Sequence, residues 1–418
     1  MAGVPLVPPK FKGTFAGATI ALLLLIHLPD LVRGRPRLPG GWLDVALFSF
    51  LGWNLASSLL VSDSPALSLR SFLTLCLQVS LFYIASAGVG KEDVALATVS
   101  GGVPAAVVGI LQYYQLGPFR RSPVFGSRIT STFSNPNHLS SFLGACLLIL
   151  LGLSVKEEKL GKRLAIYLSV LLVYTSLLMA GTRGVFVGMA SAGMASLVLL
   201  LRTEWKGVLL SRRREAAGLV LAMAAVTFLY SVPTPLNRGS RASERMASSV
   251  EILRAPRTKD THILHRWLIW SVTADMIRSH PLTGVGYGTY GLEYASAQEE
   301  FLSRPENASR FRSFRPPPVT YAHNEYLHIS AEAGIVGLAL FLAFLSTGLV
   351  RAVHKFRSLD PGHMPIWLGV AGGLISILVH GLVSYPLHMP ATSVLFWTLL
   401  GWLVAPLGPI SHAGEHGR

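Results

Sequence analysis

Blocks of about 20 mainly apolar residues recur along this chain with short polar gaps between them, and that repetition restricts its fold more than any other feature. A helix of that length crosses the hydrocarbon core of a bilayer, where every backbone polar group is satisfied inside the segment. The qualifying blocks are 12–29, 42–62, 68–89, 94–115, 138–155, 163–180, 184–201, 216–232, 326–350, 365–385 and 388–408. They predict an all-α polytopic membrane protein of about eleven transmembrane helices. Composition agrees, since 51% of residues are hydrophobic and only 14% charged, whereas soluble domains carry about a quarter charged residues. Three regions follow: an N-terminal bundle over 1–232, a long polar loop over 233–325 and a C-terminal bundle over 326–418. The first holds about eight spans and the last about three.

Lys10 and Lys12 precede the first block, but no small-residue cleavage site follows it. His27, Leu28, Pro29 and Asp30 stand there instead, so the block reads as an uncleaved span. Orientation comes from the basic residues. Arg33, Arg35 and Arg37; Lys156, Lys159, Lys162 and Arg163; Arg202, Lys206, Arg212, Arg213 and Arg214; and Arg351, Lys355 and Arg357 fall in alternate connections. The positive-inside rule makes those connections cytoplasmic, together with the C-terminus. Segment 116–137, the turn at 181–184, the long loop and the turn around Pro386 then face outward. An eleven-span count leaves the N-terminus outside despite Lys10 and Lys12. The net charge of +15 is dispersed in clusters between apolar blocks, which suits anionic lipid head groups and argues against a nucleic-acid partner. Cys76 and Cys146 each lie inside an apolar run and read as small core residues.

The long loop is arginine-rich: Arg238, Arg241, Arg245, Arg254, Arg257, Lys259 and Arg266 in its first part, then Arg304, Arg310, Arg312 and Arg315. Long loops translocate largely regardless of charge, so the topology stands. Two explanations remain open, a solvated surface balanced by Glu244 and Glu251 or an anionic substrate held at the outer face. Within the loop, 262–279 reads as an amphipathic helix with Ile263, Trp267, Trp270, Ala274 and Ile277 on one face, lying at the bilayer interface. Pro281 and Gly284 end it. Gly284, Gly286, Gly288 and Gly291 read as a flexible turn with no strand before it and no helix-opening pattern after it, which excludes a nucleotide-binding loop.

Polar clusters at the outer ends of the spans are the candidates for chemistry. In Tyr321-Ala322-His323-Asn324-Glu325-Tyr326-Leu327, a neutral imidazole at His323 suits removal of a hydroxyl proton, or else it is an interfacial histidine satisfied by a carbonyl. Polar groups at such a depth are costly unless paired or used. Gly181-Thr182-Arg183-Gly184 is a turn with almost no room between two spans, and its guanidinium either snorkels or binds an anion, for which its fork suits phosphate oxygens. The segment from Arg128 through Asn135, Asn137 and His138 is rich in donors and also reads as a helix cap. Arg266 is either a surface cation or a second phosphate ligand. The outer segments hold no Asp-x-Asp pair, and carboxylates are nearly absent from the spans, with Asp44 and Glu332 the exceptions. A divalent metal held by paired carboxylates is therefore not expected, and arginines have to neutralise any diphosphate.

Four segments together resemble the O-antigen ligase and O-antigen polymerase superfamily of bacterial membrane glycosyltransferases. They are 130–139, with Asn135-Pro136-Asn137-His138; Gly181-Thr182-Arg183-Gly184; Arg266-Trp267-Leu268-Ile269-Trp270 continuing to 280–286; and His323-Asn324-Glu325-Tyr326-Leu327 continuing through Glu332, Gly334 and Gly337. The resemblance implies transfer of a glycan from undecaprenyl diphosphate to an acceptor hydroxyl, with inversion, without metal or cofactor, at the periplasmic face of the bacterial inner membrane. Carried over by position, it implies His323 as the catalytic base and Arg183 and Arg266 as diphosphate ligands. Arg128, Asn135, Asn137, His138, Tyr321, Asn324, Glu325 and Tyr326 are candidate substrate-binding residues. Family members commonly show about twelve spans, one more than counted here. The acceptor expected first is the lipid A core. A polymerase using another lipid-linked repeat and a protein O-oligosaccharyltransferase remain open, and the chain's end soon after its last span leans toward ligase or polymerase. A lipid-glycan transporter is the reading from a different class; it predicts repeated halves with broken helices, and no internal repeat is evident.

Overall fold

The computed structural model describes residues 39–87, 93–121, 123–200, 212–232, 261–311 and 316–406, and among these every regular element is a helix. The predicted span 12–29 and the loop arginines before residue 261 lie outside the described residues. The first bundle contains α1 (Trp42–Ala56, prolonged by a π-helical turn to Val61), α2 (Pro65–Ser86), α3 (Asp93–Tyr114), α4 (Pro136–Lys156), α5 (Leu160–Ala180), α6 (Arg183–Leu200) and α7 (Arg213–Ser231). The loop supplies α8 (Thr261–Ser279), α9 (Tyr290–Ser303) and α10 (Pro305–Arg310), and α11 (Glu325–Arg357), α12 (Met364–His380) and α13 (Pro390–Val404) complete the described chain. Nine of these helices are long and apolar enough to cross a membrane, and α13 is a shorter apolar helix.

Small residues let the spans approach closely, the usual device where lipid supplies no hydrophobic drive between helices. The α12 helix packs on α4 and α6, α13 on α2, α11 on α1, and α5 on α3 and α4. A Cβ on Gly152 would sit 2.3 Å from the Pro365 carbonyl oxygen, and one on Gly369 2.7 Å from that of Leu148, so α4 and α12 meet backbone to backbone. This makes α4 the most enclosed of the spans.

Two spans differ in extent from the expected blocks. The α11 helix continues to Arg357, so Arg351 and Lys355 lie on its last turns rather than after it; their long side chains reach the Gly40 and Trp402 carbonyls at 3.3 and 3.1 Å. The α12 helix stops at His380, not at 385, because residues 381–389 turn back to form a connection that carries polar groups.

Near the end of its first third α11 is broken at Gly334, with φ 69° and ψ −178°, a conformation open essentially to glycine alone. The chain after α8 docks into that break. Val285 N–H donates to Ala331 O at 2.9 Å, Gly286 N–H to Glu332 O at 3.0 Å, and Ile335 N–H to Pro281 O at 2.9 Å. The Trp53 indole N–H takes the Ala333 carbonyl at 2.7 Å. The Ala331, Glu332 and Ala333 carbonyls at the break are thus paired by loop amides and a neighbouring span.

This docking corrects one expectation about the loop and adds to another. The glycine turn is held rather than flexible: Tyr287 N–H donates to Ser57 Oγ, Ser68 Oγ donates to Tyr287 O, and α9 opens directly after the turn at Tyr290. The helix 262–279 exists as α8, but its enclosed face is Leu268, Ile269, Val272, Thr273 and Met276, while Trp267 is 48% exposed. That enclosed face packs on α9 and α11, forming a second small core with Tyr290, Tyr294 and Phe301, with Trp270 partly buried against it. Two apolar stripes run side by side on this helix, and tertiary packing selects between them.

Candidate active site

One end of the bundle gathers the N-termini of α4, α6 and α11 and the 381–389 connection, with α8 packed on α11 and bonded to that connection. The Arg183 turn is built first. Gly181, at φ 61° and ψ 41°, is the left-handed cap that ends α5, and α6 starts two residues later with Arg183 as its first residue. Arg128 fixes this turn: its Nε donates to Ala180 O at 2.7 Å, and its terminal Nη2 to Thr182 Oγ1 and Asn137 Oδ1, each at 2.9 Å. Thr182 also receives the Ser140 hydroxyl at 2.9 Å. Asn135 caps α4, accepting Asn137 N–H at 2.8 Å, with Pro136 at the first helical position. Gln112 holds the preceding strand of loop by accepting from Thr130 and Ser131 N–H, both at 2.8 Å. Arg128, Asn135 and Asn137 are thereby placed as supports of the Arg183 turn.

The 381–389 connection joins that turn to the loop. Gly184 packs against it so closely that a Cβ would lie 2.5 Å from Val383 Cγ2 and 2.8 Å from His380 Cδ2. From the other side, Arg266 on α8 donates to Val383 O at 2.8 Å. Val383 therefore lies between the elements that bear the two arginines. Burial lowers the Arg266 pKa from its usual value, and the Tyr385 phenol opposes that fall; a guanidinium remains charged regardless.

His323 sits in the left-handed region at φ 53°, just before α11. Its Nδ1 is buried with no hydrogen-bond partner among the described residues. Its ring stands edge-on to Tyr385, with centroids 4.9 Å apart and planes at 78°. Burial pushes the His323 pKa down to about 3, aided by Arg266, His265, His138 and His328. The imidazole is therefore neutral, with a lone pair available, throughout the physiological range. Tyr321 stacks on the other part of Tyr385 at 4.4 Å and 12°, and His138 meets the same ring at 5.2 Å and 76°. Burial raises the Tyr385 pKa to about 12, so it stays a neutral phenol.

The residues after His323 turn inward. Asn324 caps α11, accepting Tyr326 and Leu327 N–H at 3.0 Å, and donates to Leu382 O at 3.0 Å. Tyr326 donates to Leu378 O at 2.9 Å. Glu325 is 2% exposed; its Oε1 lies 2.6 Å from His388 Nδ1, and its Oε2 accepts Leu387 N–H at 2.9 Å. Burial works against charge on His388, but Glu325 and Glu332 outweigh it and raise its pKa. Asn324, Glu325 and Tyr326 thus spend their polar atoms on the 378–388 backbone and on His388.

His328, Glu332 and His388 bring ligand-type atoms within 4.8 Å of one another, a set that sequence order did not suggest. Their protons define what the set does. His328 Nδ1 accepts Ala322 N–H at 3.3 Å, which places the ring proton on Nε2, 3.3 Å from Glu332 Oε1. Glu332 Oε1 also accepts Tyr290 N–H at 3.0 Å, at the start of α9. A cation on His328 Nε2 would have to displace that proton and reverse the amide contact. The arrangement is that of a buried network tying α11 to α9 and to the 381–389 connection.

The reading by sequence had no place for Tyr385, His388 or His380, whose Nδ1 lies 2.8 Å from Ser141 Oγ. The available signal was a tyrosine and two histidines interrupting the last two apolar blocks.

Fold and site together define a polytopic helical membrane protein with two arginine-bearing elements and a neutral histidine brought to one end of its spans. Residues 168–342 match the family described as O-antigen ligase, a stretch that contains Arg183, Arg266 and His323. The exopolysaccharide production protein ExoQ of Rhizobium meliloti (strain 1021) is 23% identical over 327 residues, covering 76% of this chain and 67% of that protein. These two similarities suggest a polysaccharide-related protein of the glycosyl-transfer type.

Proposed function

We propose that the chain transfers a glycan from undecaprenyl diphosphate to an acceptor hydroxyl, at the end of the bundle where the loop docks. The observation that supports this best is the convergence, around Val383 and Tyr385, of the arginine-bearing elements and the neutral His323 imidazole. His323 takes the proton of the acceptor hydroxyl as its oxygen attacks the anomeric carbon. The bond from that carbon to the diphosphate breaks on the opposite face, and the electron pair leaves with the diphosphate, so the configuration inverts. Arg183 and Arg266 stabilise the charge that develops there. A cation at the first position of a helix opposes the macrodipole, and its placement makes sense where the helix N-terminus and guanidinium attract one anion together.

The acceptor we favour is the lipid A core, with the reaction on the periplasmic side of the inner membrane. A repeat-unit polymerase is the second reading, favoured by the similarity to a protein named for exopolysaccharide production. The test is reconstitution with an undecaprenyl-diphosphate-linked glycan and either lipid A core, a second lipid-linked repeat or a serine-containing peptide. Transfer should need His323 and Arg183. Wild-type rates in both His323→Ala and Arg183→Ala would overturn the mechanism, and passage of lipid-linked glycan across the bilayer without any transfer would make the protein a transporter.

A further inference from the structure

A histidine that works as a base has its ring orientation fixed from the nitrogen that does not react, most often by a carboxylate. His323 offers its buried Nδ1 no such acceptor among the described residues. Its backbone is held in the left-handed region, yet χ rotation of the imidazole still has to be stopped by something. Among the described residues Tyr385 is the aromatic group against its ring, edge to face at 4.9 Å and 78°.

Tyr385 is itself clamped. Tyr321 stacks on it at 4.4 Å and His138 abuts it at 5.2 Å. The backbone on either side is pinned by four ties: Glu325 N–H to Gly381 O at 2.7 Å, Asn324 Nδ2 to Leu382 O at 3.0 Å, Arg266 to Val383 O at 2.8 Å, and Leu387 N–H to Glu325 Oε2 at 2.9 Å. The Glu325–His388 pair at 2.6 Å closes the far end. So many bonds on one short connection leave Tyr385 a rigid wall, and the wall faces the imidazole.

We propose that Tyr385 is the positioning residue for His323: its ring, not its hydroxyl, fixes the plane of the imidazole that receives the acceptor proton. This rests on the base role proposed above. A misplacement of a reacting group by about 1 Å costs on the order of 100-fold in rate, so loss of the wall should act on turnover rather than on binding.

The experiment uses the full chain in liposomes with an undecaprenyl-diphosphate-linked glycan and whichever acceptor supports transfer. Tyr385→Phe keeps the ring and should stay within about threefold of wild-type kcat, whereas Tyr385→Leu should lose roughly 10- to 100-fold in kcat with little change in donor KM. Tyr321→Leu, which removes the backing of Tyr385 while leaving its ring in place, should give a smaller kcat loss and serves if Tyr385→Leu does not fold. In a His323→Ala background Tyr385→Leu should lower the residual rate no further. Equal losses in Tyr385→Phe and Tyr385→Leu, a pure KM effect, or an undiminished effect in the His323→Ala background would each overturn the proposal. Full activity of Tyr385→Leu with an inactive His323→Ala would sink it alone, while full activity of His323→Ala would sink the base role beneath it.

Discussion

Replacing Gly334 by alanine tests whether the loop is truly docked into the broken span. The residue sits at φ 69° and ψ −178°, where a side chain is strained by roughly 1–3 kcal/mol. Space is also lacking, because a Cβ would lie 2.0 Å from the Leu282 carbonyl oxygen and 2.6 Å from Thr283 N. Relief requires the 281–286 segment to withdraw, which breaks the hydrogen bonds Ile335 to Pro281, Val285 to Ala331 and Gly286 to Glu332. At about 1 kcal/mol net for each of those three bonds, the total cost comes to roughly 4–6 kcal/mol. Gly218→Ala on α7 is the matched control, since it meets nothing within 4 Å and alanine is the better helix former by up to about 1 kcal/mol. Thermal unfolding in detergent should show a clearly lower midpoint for Gly334→Ala and none for Gly218→Ala. Because withdrawal carries α8 and Arg266 with it, glycan transfer should fall as well. Equal midpoints and equal activity for the two variants would refute the docking argument.

Further outcomes follow from the same contacts. Arg128→Lys should lower both stability and transfer, because one ammonium cannot reproduce the fork onto Ala180 O, Thr182 and Asn137, and the check is to compare its midpoint with that of Arg120→Lys on the same segment. Glu325→Ala should destabilise by about 3–5 kcal/mol by removing the carboxylate paired with His388 Nδ1, and in a double-mutant cycle with His388→Ala the second change should cost much less than alone. His323 is held at about 3 by burial and neighbouring cations, below its unfolded value. Its contribution to stability is therefore complete above the unfolded pKa of 6.5 and is lost as pH falls from there toward about 3, since the unfolded chain takes the proton first. In His323→Gln, unfolding midpoints measured from pH 7 to 4 should fall less steeply than in wild type.

Much of the bundle was legible because a bilayer reduces the problem to length and polarity. Ten of the expected blocks correspond to helices among the described residues, their ends shifted by a few positions. Where the ends mattered, the signal failed for a definite reason. Residues 381–385 are apolar enough to extend a span, yet they leave the helix to meet Asn324 and Arg266, partners 58 and 117 residues away in the chain. Periodicity sees only local neighbours and cannot register such a trade. The same limit hid the second apolar stripe of α8, Leu268, Ile269, Val272 and Met276, which the partner helices enclose.

The site residues divide along the same line. Those recognised by segment resemblance are brought to one end of the bundle, but resemblance could not say which of them face substrate and which hold the others. Arg128, Asn135, Asn137, Asn324 and Tyr326 have side-chain atoms bonded to backbone groups or to the turn at 180–182, and a group so engaged is poorly suited to bind a glycan directly. His323 and Arg266 are different, one a neutral imidazole set edge-on to the Tyr385 ring and the other a guanidinium bonded through Nη1 to Val383 O. Five donors on a guanidinium leave room for an anion beside that carbonyl. The motif segments therefore owe their joint presence to two needs, a reacting pair and a scaffold of hydrogen bonds that keeps it in register across elements distant in sequence.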